Sequence, residues 1–164
     1  MLFLFSYARS LIQKRYEDTR ISYIANPELR FIISKASGYN AEKIASQTVI
    51  DWLTTHYPYM IRASKKFYLR KEADSYICGV GVKSKLQITD AKNIKSVDTD
   101  QNNYLMLESS VVGDYGRYAD MLMNFARDNG MTADKKGVFA VYDAKESFDN
   151  PRIKLYCPVK IEKN

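Results

Sequence analysis

Apolar and polar residues alternate in several short segments of the chain, and this period of two predicts β-strands. The segments are ISYI and LRFIIS around a turn at Asn26-Pro27, then KFYLRK, SYICGVGVK, YLMLESS, VFAVYD and IKLYCPVKI. The polar hairpin EADS joins the third segment to the fourth, and the polar residues 83–103 predict a connector with an edge strand. Short strands combined with two helical segments predict an α+β domain.

The two helical segments have apolar residues at the spacing of an amphipathic helix. In GYNAEKIASQTVIDWLTTHYP the shared face consists of Ile44, Ala45, Thr48, Trp52 and Leu53. In VVGDYGRYADMLMNFARDNG it consists of Ala119, Leu122, Phe125 and Ala126. Asn40 is a candidate N-cap of the first helix, Pro58 ends that helix, and Gly130 ends the second.

The order strand, Gly-Tyr turn, helix, strand, strand occurs twice, in copies at about 20–84 and 95–162. Trp52 corresponds to Phe125 in this alignment, 73 positions later (125 − 52), and Phe67 corresponds to Phe139. One such unit cannot bury its own apolar face, so two units are expected to share a core. We therefore predict two pseudo-symmetric copies forming one antiparallel sheet, with both helices packed on it and a groove at the seam.

The composition suits a ligand-binding domain of this kind. The chain has 164 residues, of which 46% are hydrophobic, and it contains 13 tyrosines. Tyrosine combines a large apolar face with a polar tip, which is useful both in binding-site walls and in a sheet core. One domain of this size can bury a substantial core.

Charge and cysteine usage exclude several classes of function. The formal net charge is +6, but the basic residues are dispersed and no nucleic-acid-binding motif is present, so no nucleic-acid partner is expected. The chain has one histidine, His56, so no metal site, cofactor or histidine-based catalytic triad is predicted. Cys78 and Cys157 lie in apolar segments and are expected to be buried free thiols, which favours a cytoplasmic location.

Residues 1–19, which include LFLFSYARSLIQ, predict an N-terminal helix ahead of the domain at 20–164. The segment lacks the features of a signal peptide, and it is shorter than the ~20 residues that a membrane span needs. Either the helix packs on the domain, or it is the remnant of a membrane anchor. The second reading would make the protein membrane-anchored rather than cytoplasmic.

The duplication, the Gly-x-Tyr turn at Gly113 and Tyr115, and the ending VFAVYD…RIKLYCPVKI resemble the GyrI-like, or effector-binding, domain family over roughly residues 20–162. The resemblance implies a pseudo-twofold α/β domain that binds small, often aromatic or cationic molecules between its copies. It also implies that Tyr115 and Tyr142 line the pocket. At Ala140 the chain departs from family members that carry a glutamate there and bind cationic drugs or hydrolyse strained cyclopropane rings.

Other residues complete the predicted ligand site. Strand alternation places Glu108 on the face of Tyr104 and Met106, where its carboxylate could replace the missing acid or could lie at a solvated strand end. Trp52 either packs in the core or lines the groove. Tyr39, which corresponds to Tyr115 in the repeat, is either a turn residue or part of the opposite wall. Val111, in the segment before the second helix, is also a candidate.

Three functions remain open from the sequence. The first is a non-catalytic domain that binds a small aromatic or hydrophobic molecule. The second is a hydrolase of strained electrophilic molecules that uses a different acid, with Glu108 as the candidate. The third is a protein-interaction module in which the groove or an edge strand takes a partner segment. No catalytic residue is assigned.

Overall fold

The computed structural model of the chain describes residues 19–63, 66–88, 91–109, 115–143 and 152–162. Within these ranges the strands are β1 (Arg20–Ala25), β2 (Arg30–Ser37), β3 (Lys66–Lys71), β4 (Ser75–Gly81), β5 (Lys95–Asp98), β6 (Asn103–Ser109), β7 (Met131–Ala133), β8 (Phe139–Asp143) and β9 (Arg152–Ile161). The helices are α1 (Ala41–His56), α2 (Pro58–Ala63) and α3 (Tyr115–Asp128), with a 3-10 turn at Lys135–Gly137. The predicted α+β class is confirmed.

All nine strands belong to one antiparallel sheet, in the order β1-β6-β9-β8-β3-β4-β2-β5, with β7 paired to β9. The order is symmetric about the β3–β8 pair. On one side of this seam lie β3, β4 and β2 of the first copy, and on the other lie β8, β9 and β6 of the second. The sheet therefore has the pseudo-twofold arrangement that the sequence repeat predicts.

The strand that leads each copy pairs with the other copy. β1 adds to the edge of β6, and β5 adds to the edge of β2. The loops that follow β1 and β5 are joined by hydrogen bonds. Thr99 and Leu29 are joined by two hydrogen bonds: the Leu29 amide donates to the Thr99 side-chain hydroxyl at 3.1 Å, and the Thr99 amide donates to the Leu29 carbonyl at 3.1 Å. Thr99 is fully buried, so this junction ties the two copies together.

The long helices cover one face of the sheet. The buried residues of α1 are Ala41, Ala45, Val49 and Leu53, and those of α3 are Tyr118, Ala119, Leu122 and Ala126. Asn40 does occupy the N-cap position, but its φ is 56° and its side chain makes no capping hydrogen bond. Pro58 separates α1 from α2 and occupies the first position of the latter, where its missing amide costs little.

The sheet is strongly curled, and its concave face carries an aromatic cluster of Phe31, Tyr68, Tyr104, Phe139 and Tyr156. β2 and β8 are three strand positions apart, which is about 14 Å in a flat sheet. The rings of Phe31 and Phe139 on these strands have centroids only 6.2 Å apart. The curl therefore lets side chains from distant strands form a second core on the face opposite the helices.

The sequence alignment of Phe67 with Phe139 is wrong by one residue. Phe139 is 3% exposed and belongs to the aromatic cluster, whereas Phe67 is 41% exposed and lies on the helix-covered face. Tyr68 is the residue of β3 that stacks on Phe139, with centroids 4.9 Å apart. Because side chains alternate along a strand, a shift of one residue assigns a side chain to the opposite face.

Some predictions fall outside the described residues. They are the N-terminal helix, of which residues 1–18 are not described, together with Val111 and Gly113. Of the helices that are described, none combines the length and the apolar character needed to cross a membrane.

Candidate functional site

The seam between the copies is centred on Leu69 and Ala140, which pair across β3 and β8. Cys78 pairs with Leu69 on the outer side, and Leu155 pairs with Ala140 in the same way. The four residues therefore form a row under the helices, with the pseudo-twofold axis at its middle. Ala140 is fully buried in this row, and it packs in the core cluster beneath α3.

A cavity of about 210 Å³ opens beside this axis, on the side of the first copy. Its apolar lining includes Ile50 of α1, Phe67 and Leu69 of β3, and Val80 of β4. Its polar lining includes Glu42, Ser46, Cys78 and Tyr142. Tyr142 is the one described residue of the second copy in this lining, so the cavity extends from the first copy as far as the seam.

The cavity continues into a wider open hollow of about 470 Å³ at the start of α1. Glu42 and Ser46 line both spaces and thus mark the boundary between them. Lys43 and Tyr76 contribute to the outer hollow alone. A ligand could therefore enter through the hollow and place its apolar part in the inner cavity.

The polar groups of the cavity interact with one another. Burial raises the pKa of the Cys78 thiol, an effect that a hydrogen bond with Ser46 opposes and the Glu42 carboxylate reinforces. Burial also raises the pKa of Tyr142, with smaller contributions from Glu42 and Cys78. Both side chains therefore remain protonated near neutral pH, which makes them hydrogen-bonding groups rather than anions.

Tyr115, at the start of α3, packs against the core on the other side of the axis. Its hydroxyl donates a hydrogen bond to the carbonyl of Val138, and burial raises its pKa to about 12. Tyr115 thus fills its half of the seam and does not line the cavity. Of the predicted pocket residues, Tyr142 is the one that the described cavity includes.

Tyr104 and Glu108 lie on the concave face, away from the helices. Tyr104 belongs to the aromatic cluster, where its ring centroid is 5.9 Å from that of Phe139. Glu108 lines a separate small cavity of about 110 Å³ together with Tyr156. Burial is the main cause that raises the pKa of Tyr156, and the Glu108 carboxylate is a second cause. The predicted shared face of Glu108 and Tyr104 is therefore present, but the sheet separates it from the seam cavity.

Trp52 and Tyr39 are also outside the seam cavity. Trp52 packs in the cluster at the end of α1, where it stacks on His56 with centroids 4.8 Å apart. Its Nε1 is buried, with no hydrogen-bond partner among the described residues. Tyr39 lies in the turn before α1 and is 91% exposed.

Of the residues that line the cavity, only Tyr142 was predicted from the sequence to belong to the site, and the polar residues Glu42, Ser46 and Cys78 were missed. Glu42 and Ser46 are four positions apart, so they share one face of α1, and this face adjoins the apolar one. That spacing was visible in the sequence. What it could not show is that the polar edge of α1 lies beside Cys78 of the same copy and Tyr142 of the other copy.

We expect the protein to lose stability at alkaline pH because of its buried tyrosines. Burial raises the pKa of Tyr68 and of Tyr115 to about 12, against about 10 in the unfolded chain. Between these values the unfolded state releases protons that the folded state retains, so stability falls as pH rises. Each of the two tyrosines should lower the free energy of unfolding by about 1.4 kcal/mol between pH 8 and pH 11.

Urea unfolding at pH 8 and pH 11 measures this loss. For each protein, the relevant quantity is the loss of unfolding free energy between pH 8 and pH 11. This loss should be smaller by about 2.7 kcal/mol in the double variant Tyr68→Phe, Tyr115→Phe than in the unmodified protein. An equal loss in both proteins would show that other groups cause the alkaline unfolding.

No protein-family profile matches the chain, and no curated protein matches its sequence. Solved structures share its fold. A chain of the cryo-EM structure of the EcmrR–DNA complex in EcmrR-RPo matches with a TM-score of 0.55 and 14% identity, covering 97% of this chain and 65% of that one. This chain thus spans about two-thirds of the length of that EcmrR chain.

Two structures of hydrolases from Listeria innocua are also similar. One has a TM-score of 0.53 and 11% identity, covering 86% of this chain and 92% of the hydrolase. The other has a TM-score of 0.53 and 12% identity, covering 90% and 96%. At these identities the likeness establishes the fold, which a DNA-complexed protein and hydrolases share.

Proposed function

We propose that this protein is a GyrI-like domain that binds a small aromatic or hydrophobic molecule at the seam between its two copies, without catalysing a reaction. The observation that carries the proposal is the 210 Å³ cavity, whose lining is mainly apolar and includes a few polar residues. This combination of an apolar lining with a small number of polar groups is typical of small-molecule sites.

The fold comparison supports the proposal at a coarser level. The EcmrR chain, which is bound to DNA in its structure, contains a region of the same fold that covers nearly all of this chain. The sequence resemblance to effector-binding domains agrees with a ligand-sensing role. Fully buried Ala140 offers no carboxylate, so recognition would depend on the shape and hydrogen bonding of the seam cavity.

A thermal-shift screen tests the proposal. The panel should contain neutral aromatic molecules, aromatic cations and lipids. A ligand at a hundredfold excess over its dissociation constant stabilises the fold by about 2.7 kcal/mol, which is about 5–10 °C for a domain of this size. We expect shifts with neutral aromatics, and a panel without any shift would contradict the proposal.

A pair of phenylalanine variants locates the binding site. Phe67 lines the cavity and is 41% exposed, so Phe67→Ala should weaken binding with little loss of stability. Phe125, which is 37% exposed on α3, lies outside the cavity and provides the matched control. Equal thermal shifts in Phe67→Ala and Phe125→Ala would place the ligand elsewhere.

Hydrolysis is a second candidate, favoured by the two similar hydrolases and by the Glu42 carboxylate in the seam cavity. A carboxylate beside a tyrosine hydroxyl is a suitable arrangement for general acid–base chemistry. Turnover of a strained electrophilic ring by the unmodified protein, lost in Glu42→Gln, would favour this function over simple binding. Turnover that persists in Glu42→Gln would exclude Glu42 as the acid.

A further inference from the structure

The two helices carry different residues at matching positions beside the seam. With the offset of 73 that relates Trp52 to Phe125, the buried residues Ala45, Val49 and Leu53 of α1 match the buried residues Tyr118, Leu122 and Ala126 of α3. By the same offset Tyr115 corresponds to Glu42 and not to Tyr39, the residue that the sequence repeat paired with it, and Ala119 corresponds to Ser46. The first copy therefore has a carboxylate where the second has a large ring.

The strands beneath the helices also carry a smaller residue in the first copy than in the second. Cys78 and Leu155 occupy matching positions in the row centred on Leu69 and Ala140. In the second copy Leu155 is fully buried and Tyr115 packs against the same cluster, so the space between helix and sheet is filled. In the first copy the smaller Cys78 leaves this space open. The asymmetry of the duplication thus creates the cavity, and it places the cavity off the axis.

The volume of the cavity is suited to one aromatic ring. An apolar cavity of roughly 150 Å³ in another protein accommodates benzene. The seam cavity, at about 210 Å³, has room for one ring and a small substituent. The side chains of Phe67 and Leu69 provide apolar walls for that ring, whereas a second fused ring would have to remain in the outer hollow.

The polar lining determines which substituent fits. A carboxylate accepts hydrogen bonds and donates none, so a group facing Glu42 must be a donor. Ser46 stands beside Glu42 at the same boundary and can both donate and accept. The positive charge of Lys43 lies in the outer hollow, beyond this boundary.

We propose that the cavity beneath α1 binds a single-ring aromatic molecule whose hydrogen-bond donor is directed at the Glu42 carboxylate. This inference rests on the proposed binding function, and it adds the position, the size and the polarity of the ligand. An amine or hydroxyl substituent satisfies Glu42, whereas a carboxylate substituent is repelled by it.

Calorimetric titration with three probes of one ring tests the inference: benzylamine, benzyl alcohol and phenylacetate. Naphthalene-sized analogues of each serve as two-ring probes. We expect the unmodified protein to bind benzylamine and benzyl alcohol at least tenfold more tightly than phenylacetate, and one-ring probes more tightly than their two-ring analogues. Glu42→Gln should bring the affinities for benzylamine and phenylacetate to within about threefold of each other.

Variants that fill the cavity with a larger side chain provide a second test of the inference. Cys78→Leu introduces the residue of the second copy, and it should weaken binding of every one-ring probe at least tenfold. If Cys78→Leu does not fold, as judged by circular dichroism, Ser46→Leu fills the same space from the partly exposed side of α1. Asp51→Asn, which removes an exposed carboxylate of the same helix, is the charge control and should leave all affinities unchanged.

The outcomes separate this inference from the function on which it rests. If probes bind and neither filling variant weakens them, the ligand site is elsewhere on the domain. The inference and the seam location are then both wrong, while small-molecule binding by the domain stands. Preference for phenylacetate would also overturn it, since the outer Lys43 would then select the ligand. If no aromatic probe of either size binds, both the inference and the proposed function fail.

Discussion

Replacing Phe139 by alanine is expected to lower the free energy of unfolding by about 3–5 kcal/mol, the largest effect of any single change that we predict. Phe139 is 3% exposed at the centre of the aromatic cluster. Its ring stacks on Tyr68 and Tyr156, with centroids 4.9 and 5.2 Å apart. Removing the ring leaves a cavity between strands from both copies, so neighbouring side chains cannot easily close it.

Chemical unfolding of purified protein measures the effect. Phe125→Ala is the matched control, because the same atoms are removed from a ring that is 37% exposed on α3. The free energy of unfolding of this control should fall by less than about 1 kcal/mol. Similar losses in the two variants would mean that the concave face contributes no more to stability than a half-exposed helix surface.

The second large effect is expected from Gly79→Ala, which should destabilise the protein by about 3 kcal/mol. A Cβ atom at Gly79 would lie 2.3 Å from the carbonyl oxygen of Ile32 and 2.7 Å from Cγ2 of Ile33. The first neighbour is backbone of the adjacent strand β2, so it cannot move without disturbing the β2–β4 ladder. Glycine is required at position 79 because the neighbouring strand β2 lies too close to leave room for a Cβ atom.

Gly116→Ala is the contrasting control. Gly116 lies in the first turn of α3, and a Cβ atom there meets no atom within 4 Å. Alanine favours helix by about 0.5–1 kcal/mol over glycine, so this variant should be slightly more stable than the unmodified protein. Urea midpoints of both variants give the comparison, and a neutral Gly79→Ala would show that β2 can shift away from β4.

The strands and helices could be predicted from the sequence because their side-chain patterns are local. The hairpin EADS lies between β3 and β4, and β5 is the edge strand expected in the polar connector. The apolar face of α3 was also close to correct, since Ala119, Leu122 and Ala126 are buried. An apolar pattern with a period of two or of 3.6 residues arises because one face of the strand or helix is buried, whatever group covers that face.

The individual residues of the site were less predictable. Glu108 was a reasonable substitute for the missing acid because strand alternation does place it beside Tyr104. Yet alternation gives two faces without saying which one the helices cover, and Glu108 is on the uncovered face. Glu42 had no such signal, since an acidic residue in the first turn of a helix is also explained by the helix dipole.

The sequence by itself determined the α+β class, the duplication and the abundance of tyrosine in the strands. Each of these follows from composition, from short-range periodicity or from comparison of the chain with itself. The tertiary structure decided that β1 and β5 add to the opposite copies, that the curled sheet gathers a second aromatic core, and that the cavity lies beneath α1. These features depend on contacts between residues far apart in the chain, and they arise where the two copies differ in side-chain volume.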